Sequence, residues 1–287
     1  MGCGQPAADQ PAVVTRLRAA GCVFAEDEAQ LLISAAQTPA DLAAMVDRRA
    51  AGLPLEHVLG WAEFCGLRIA VDPGVFVPRR RTEFLVRQAA ALAGQAEAPA
   101  WQADEATHAE PGHGPADQAR PVVIVDLCCG SGAVGVALAA ALDPVELHAA
   151  DVDPDAVTCA CRNLAAVGGQ VYHGDLYEPL PATLRGRVGL LTANVPYIPT
   201  EAIGLLPAEA RVHEPLVALD GGPDGLDVLR RVATAAPQWL APGGCLLIET
   251  SEAQAAQAAE IFAGSGLLPR VASSDELSAT VVIGTRP

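Results

Sequence analysis

Residues 122–142 read VVIVDLCCGSGAVGVALAAAL, and the fold class follows from how this stretch divides. Branched apolar residues lead to Asp126, a turn holding Gly130 and Gly132 follows, and an Ala-rich run completes the segment. An apolar run of this kind suits a strand buried on both faces, and the Ala-rich run suits a helix. The unit is therefore strand, glycine turn, helix.

The alternation continues downstream. Strand patterns over VELHAAD (145–151), GGQVYHG (168–174), GRVGLLTAN (186–194) and GGCLLIET (243–250) are interleaved with helical ones. One such helix opens at Asp153 as cap with Pro154 in the first position. Others cover 224–236 and 251–264. LLPRVAS (267–273) and ATVVIGT (279–285) follow without a helix between them, which predicts an antiparallel edge. The expectation is a doubly wound, mostly parallel, seven-stranded α/β sheet over 121–287.

Upstream, residues 1–60 read as a small helical module, with Thr38 a cap, Pro39 the first helical residue and Gly52 beyond the end. Residues 61–93 read as a β-hairpin broken at Gly66, then a helix starting near Thr82. The tract 94–120 is rich in Ala, Pro, Gly and acids without a period, and is read as a flexible linker or loop whose His108 and His113 are not metal ligands.

Composition narrows the function classes. The net charge is −16 and every one of the 18 basic residues is Arg, so direct nucleic-acid binding, which draws on cations, is disfavoured. No long apolar span and no secretory leader is evident, the Met-Gly start lacks the Ser or Thr of a myristoylation motif at Pro6, and a cytoplasmic location is expected. The eight cysteines have no zinc spacing and read as apolar fillers; no metal site is expected.

Gly130, Gly132 and Gly135 spell a dinucleotide pattern. Asp126, just before the turn, would repel a pyrophosphate and suits a cationic ligand such as S-adenosyl-L-methionine. Asp151, at the next strand's tip, is placed to accept ribose hydroxyls from either cofactor. Asp175 could accept from an adenine amino group, with Leu176 packing on the ring.

After the fourth strand comes Asn194-Val195-Pro196-Tyr197. The Asn194 side-chain oxygen and the Val195 carbonyl can hold both hydrogens of a planar amino group, Tyr197 can pack on its face, and Pro196 stiffens the turn.

The strings GLPLEHVLGWAEFCGLRIAVDPGVFVPRRRTEFLV (52–86), DLCCGSGAVGVALA (126–139), AADVDPDAV (149–157), GDLYEPL (174–180), NVPYIP (194–199) and EARVHEPLVALDGGPDGLDVLRR (209–231) occur in the order of the HemK/PrmC family of protein-glutamine amide methyltransferases, which the chain resembles over most of 40–270. The resemblance implies a class I methyltransferase-like domain and methylation of a glutamine side chain, as in the Gly-Gly-Gln loop of class 1 peptide chain release factors. It also implies a helical N-terminal domain that docks the partner. Donor contacts are implied at Cys128, Cys129, Gly130, Ser131, Gly132, Asp151 and Leu176, and substrate contacts at Asn194 to Tyr197. Val195 stands where the family usually has Pro, Cys128 where Gly is usual, and the helical module is shorter than usual. The competing expectations are an adenine amino-group methyltransferase, a dinucleotide oxidoreductase and a cofactor-binding module without activity.

Overall fold

A computed structural model describes residues 10–94 and 121–287. The expectations for the Met-Gly start, for the tract 95–120 and for His108 and His113 lie outside the described residues.

Four helices open the described chain: α1 (Gln10–Ala19), α2 (Ala25–Ala35), α3 (Pro39–Ala50) and α4 (Leu55–Leu59). Their amphipathic faces close a separate core around Leu17, Leu32, Met45 and Val46. The Thr38 hydroxyl accepts from the Asp41 amide at 3.1 Å, as a cap with Pro39 next should. Inside this module Arg49 pairs with Glu28 at 2.7 Å and also reaches Glu209 of the α/β domain at 3.3 Å.

The hairpin β1 (Trp61–Phe64) and β2 (Leu67–Ala70) turns through Cys65 and Gly66, both at positive φ, the geometry that matches strand twist in a two-residue loop. Helix α5 (Glu83–Ala93) then packs on the main sheet.

The sheet has seven strands: β3 (Val122–Leu127), β4 (Val145–Asp151), β5 (Gln170–His173), β6 (Val188–Ala193), β7 (Leu240–Thr250), β8 (Leu268–Ser274) and β9 (Ala279–Thr285). Their order is β5-β4-β3-β6-β7-β9-β8. Helices α6 (Ala133–Ala141), α7 (Pro154–Leu164), α9 (Asp227–Trp239) and α10 (Ala255–Gly264) cover the faces, and the short α8 (Ala208–His213) belongs to the excursion between β6 and α9. Every residue of β3 and β6 is buried, as their mostly apolar patterns require.

The expected antiparallel edge is present. The antiparallel strand is β9, which pairs with both β7 and β8, so the outermost strand is β8. Helix α10 carries the chain one strand-width beyond β7, and the tight turn after β8 returns β9 into the slot between them.

The order reverses between β3, β4 and β6, which opens a crevice at the carboxyl ends of these strands. Among the described residues no helix is long and apolar enough to cross a membrane.

Candidate active site

A cavity of about 460 Å³ occupies this crevice, within the size range of small-molecule sites. One bank is the turn between β3 and α6 with the tip of β4. The other is the segment after β6, roofed by residues 206–219 and by residues that follow the hairpin.

On the first bank Cys128, Gly130 and Gly132 have φ of +52°, +54° and +78°. Cys128 thus carries a side chain in the left-handed region that favours glycine. At Gly132 an added Cβ would lie 2.1 Å from Leu164 Cδ1, so this glycine lets α6 pack on α7. At Gly130 an added Cβ would meet nothing within 4 Å; space lies open over the turn.

Asp151 organises this bank. Its carboxylate accepts from the Gly130 amide at 2.8 Å and the Asp153 amide at 2.9 Å. Burial pushes its pKa up, while those amide donors pull it down. Each oxygen keeps a lone pair for a further donor, such as a ribose hydroxyl. The turn and Asp151 therefore fit an adenosyl methyl donor.

Asp126 is 1% exposed and cross-links the sheet, accepting from Thr192 Oγ1 at 2.9 Å and from the Gly135 amide in the first turn of α6 at 3.2 Å. Burial pushes its pKa up to about 7, against the pull of those two donors. It borders the cavity beneath the glycine turn, with its oxygens engaged by Thr192 and the first turn of α6.

Asp175 and Leu176 do not line the cavity. Asp175 is held by Arg231 at 2.5 Å, and Leu176, with φ of +49°, packs into the core. Cys129 and Ser131 do line it, with Cys128, Gly130, Asp151 and Asn194 through Tyr197.

On the second bank the Asn194 carboxamide makes no hydrogen bond to the described residues, although it borders the cavity. Val195 buries its side chain in the core, and its own amide and carbonyl have no partner among the described residues. Tyr197 donates its hydroxyl to Glu249 Oε1 at 3.2 Å, and the Arg81 guanidinium lies 5.7 Å from the ring centroid. Burial and the Glu249 charge push the Tyr197 hydroxyl pKa well up, so it stays a donor.

The backbone here is clamped by the loop DGGPDG (220–225). A Cβ on Gly221 would sit 2.7 Å from the Pro196 carbonyl oxygen, and one on Gly225 2.3 Å from that of Tyr197. Gln254 donates to the Tyr197 carbonyl at 3.0 Å.

Residue-level reading missed the rest of the wall: Phe64, Phe76, Arg79, Thr82 and Glu214. Glu214 accepts from Arg79 at 2.5 Å and from the Val77 amide at 3.3 Å. Burial raises its pKa, and Arg79 opposes that. The strings PRRRT and EARVHEP held the signal, since charged residues between prolines in apolar surroundings need partners.

Strand order, glycine turn and the acid at the tip of β4 define a doubly wound domain with an adenosyl-cofactor crevice, and the Methyltransferase small domain family matches residues 115–197, which makes the class that of methyltransferases. The release factor glutamine methyltransferase of Geobacter sulfurreducens is 36% identical over 253 residues, covering 86% of this chain and 79% of that protein. The namesakes from Streptomyces coelicolor and Mycolicibacterium smegmatis are 37% and 34% identical, covering 76% and 88% of this chain and 70% and 82% of their own. The chain belongs to the release factor glutamine methyltransferase family. Membership sets aside the adenine-directed and dinucleotide alternatives.

Proposed function

We propose that this protein transfers a methyl group from S-adenosyl-L-methionine to the side-chain amide nitrogen of a glutamine in a peptide chain release factor. The observation that carries the proposal is the unpaired Asn194 carboxamide and Val195 carbonyl, which share one cavity with the glycine turn and Asp151.

When bound, the methyl donor supplies an electrophilic carbon next to a sulfonium. The Cys128–Gly132 turn and Asp151 hold it. Across the cavity Asn194 Oδ1 and the Val195 carbonyl each accept one hydrogen of the glutamine amide, and the Tyr197 ring supports its face. An amide nitrogen is a poor nucleophile because its lone pair is shared with the carbonyl, and no side-chain base removes its proton at neutral pH; as the N–C bond forms the S–C bond breaks, the neutral thioether leaves, and the nitrogen, acidic once methylated, loses a proton to water. Orientation supplies the rate, and well-aligned reactions gain about 7–11 kcal/mol in this way. The rigid backing by the DGGPDG glycines and Gln254 serves that alignment.

The helical module α1–α4 docks the partner protein, joined to the catalytic domain through Arg49 and Glu209. A net charge of −16 disfavours nucleic acid as substrate, and the free thiols among the described residues suit the reducing cytoplasm in which translation runs.

Purified chain, labelled S-adenosyl-L-methionine and purified release factor test the proposal, with the modified peptide mapped by mass spectrometry. One N-methylated glutamine is expected. Label on another residue type, or none on the release factor, overturns it.

A further inference from the structure

Glu249, near the end of β7, carries a carboxylate whose side chain is 2% exposed. A charge at that depth needs partners. Two donors from distant segments converge on one of its oxygens, Oε1: Arg81 Nε at 3.0 Å and the Tyr197 hydroxyl at 3.2 Å. The other oxygen, Oε2, is buried and has no partner among the described residues. The carboxylate is therefore held along one edge, by Arg81 and Tyr197.

Among the described residues Arg81 is the one basic side chain paired with Glu249. It sits in the tight turn 80–82 ahead of α5. Its side chain is 44% exposed and borders the cavity together with Tyr197, whereas Glu249 does not border it. The same guanidinium lies over the Tyr197 ring, 5.7 Å from its centroid, within reach of a cation–π contact. Arg81 thus meets Tyr197 twice, at the ring face directly and at the hydroxyl through the oxygen they share.

The Tyr197 backbone is already fixed by Gln254 and by the close approach of Gly225, so what remains to be set is the ring. One carboxylate oxygen that accepts from both groups ties the phenol to the guanidinium. Without the cation, a buried carboxylate would be left with a single neutral donor.

We infer that Arg81 is a positioning residue for methyl transfer: acting through Glu249, it holds the Tyr197 ring in the orientation that supports the glutamine amide, with the ring face turned away from Arg81 left for the substrate. This rests on the glutamine-methylation reading. Arg81 acts on orientation and on neither binding step, so its loss appears in kcat.

The test uses the full chain with purified release factor as substrate. Arg81→Met removes the charge at similar length. Its kcat is expected to fall roughly twofold to tenfold, the factor for one hydrogen bond, with KM for release factor and donor affinity by calorimetry unchanged. Arg81→Lys, which returns a cation for Glu249 without the planar group, is expected to recover part of that loss, and no recovery would overturn the link through charge. The deciding measurement repeats Arg81→Met in a Tyr197→Phe background. The hydroxyl link is already gone there, so a smaller fold loss than in the wild-type background is expected. If Arg81→Met does not fold, Glu249→Gln reads the same link from the bridging group, and its kcat loss is likewise expected to be larger in the wild-type background than in Tyr197→Phe. Equal losses in the two backgrounds, wild-type kcat in Arg81→Met, or a raised KM with kcat unchanged would each overturn the positioning role and leave the reaction standing. Failure of the wild-type chain to methylate release factor is the failure of the earlier reading, and the positioning role falls with it.

Discussion

The two banks of the cavity are built on opposite plans. On the glycine-turn bank both carboxylates are held by the fold: Asp151 accepts from two backbone amides and Asp126 ties Thr192 to the first turn of α6. On the Asn194 bank the Asn194 carboxamide and the Val195 peptide groups make no hydrogen bond to the described residues. A bank that takes one unchanging small molecule can be finished in advance. A bank that takes a protein side chain keeps its hydrogen-bonding capacity for the partner, and tolerates a less stable free state to do so.

The sharpest way to break this contrast is Asn194→Ala. If the open bank acts on the reacting amide alone, turnover should fall by about 10²–10³, the loss typical of one preorganised polar group, while calorimetry shows unchanged donor affinity. A mutant that methylates normally ends the proposed role. Asp151→Ala attacks the finished bank instead. Donor affinity should drop by about 1.5–3 kcal/mol, as for hydrogen bonds to a charged group, and part of that loss should reflect a loosened turn, because the Gly130 and Asp153 amides lose their acceptor.

A third test concerns how the finished bank depends on proton uptake. Asp126 has a folded-state pKa of about 7 against an ordinary value of 3.8. Between these values the folded chain binds the proton and the unfolded chain does not. Its stabilising contribution is therefore complete below about pH 4 and is lost as pH rises through about 7, at up to about 1.4 kcal/mol per pH unit. Denaturant midpoints of wild type and Asp126→Asn across this window should converge on a flatter profile for the variant, and parallel profiles would show that Asp126 titrates normally. The smallest effect belongs to Tyr197→Phe, which keeps the ring and removes one hydroxyl bond to Glu249. Turnover should fall by less than the about 10²–10³ expected of Asn194→Ala, because the hydroxyl meets Glu249 and not the reacting amide; a fall as deep as that would give the hydroxyl a chemical part.

Features encoded by neighbours in sequence were legible from the residues. The Thr38-Pro39 and Asp153-Pro154 caps, the Cys65-Gly66 turn and the β3 glycine turn each depend on a few consecutive residues, and each formed where expected. What depended on distant partners was not legible. The Asp126 environment is set by Thr192, 66 positions away, and Asp175 looked available until Arg231, 56 positions on, claimed it. The Glu214 wall forms only because the excursion between β6 and α9 folds back over residues 77–79, a pairing of 135 and 137 positions' separation. Periodicity gives no register for such contacts.

The placement of β9 has a consequence for how the protein comes into being. Strand β8 touches the rest of the sheet only through β9, so during synthesis residues 268–274 leave the ribosome with no neighbour to join until 279–285 have followed. The sheet thus locks from its last-made strand, and a nascent chain stalled short of it would expose an unfinished β7 border to any passing strand.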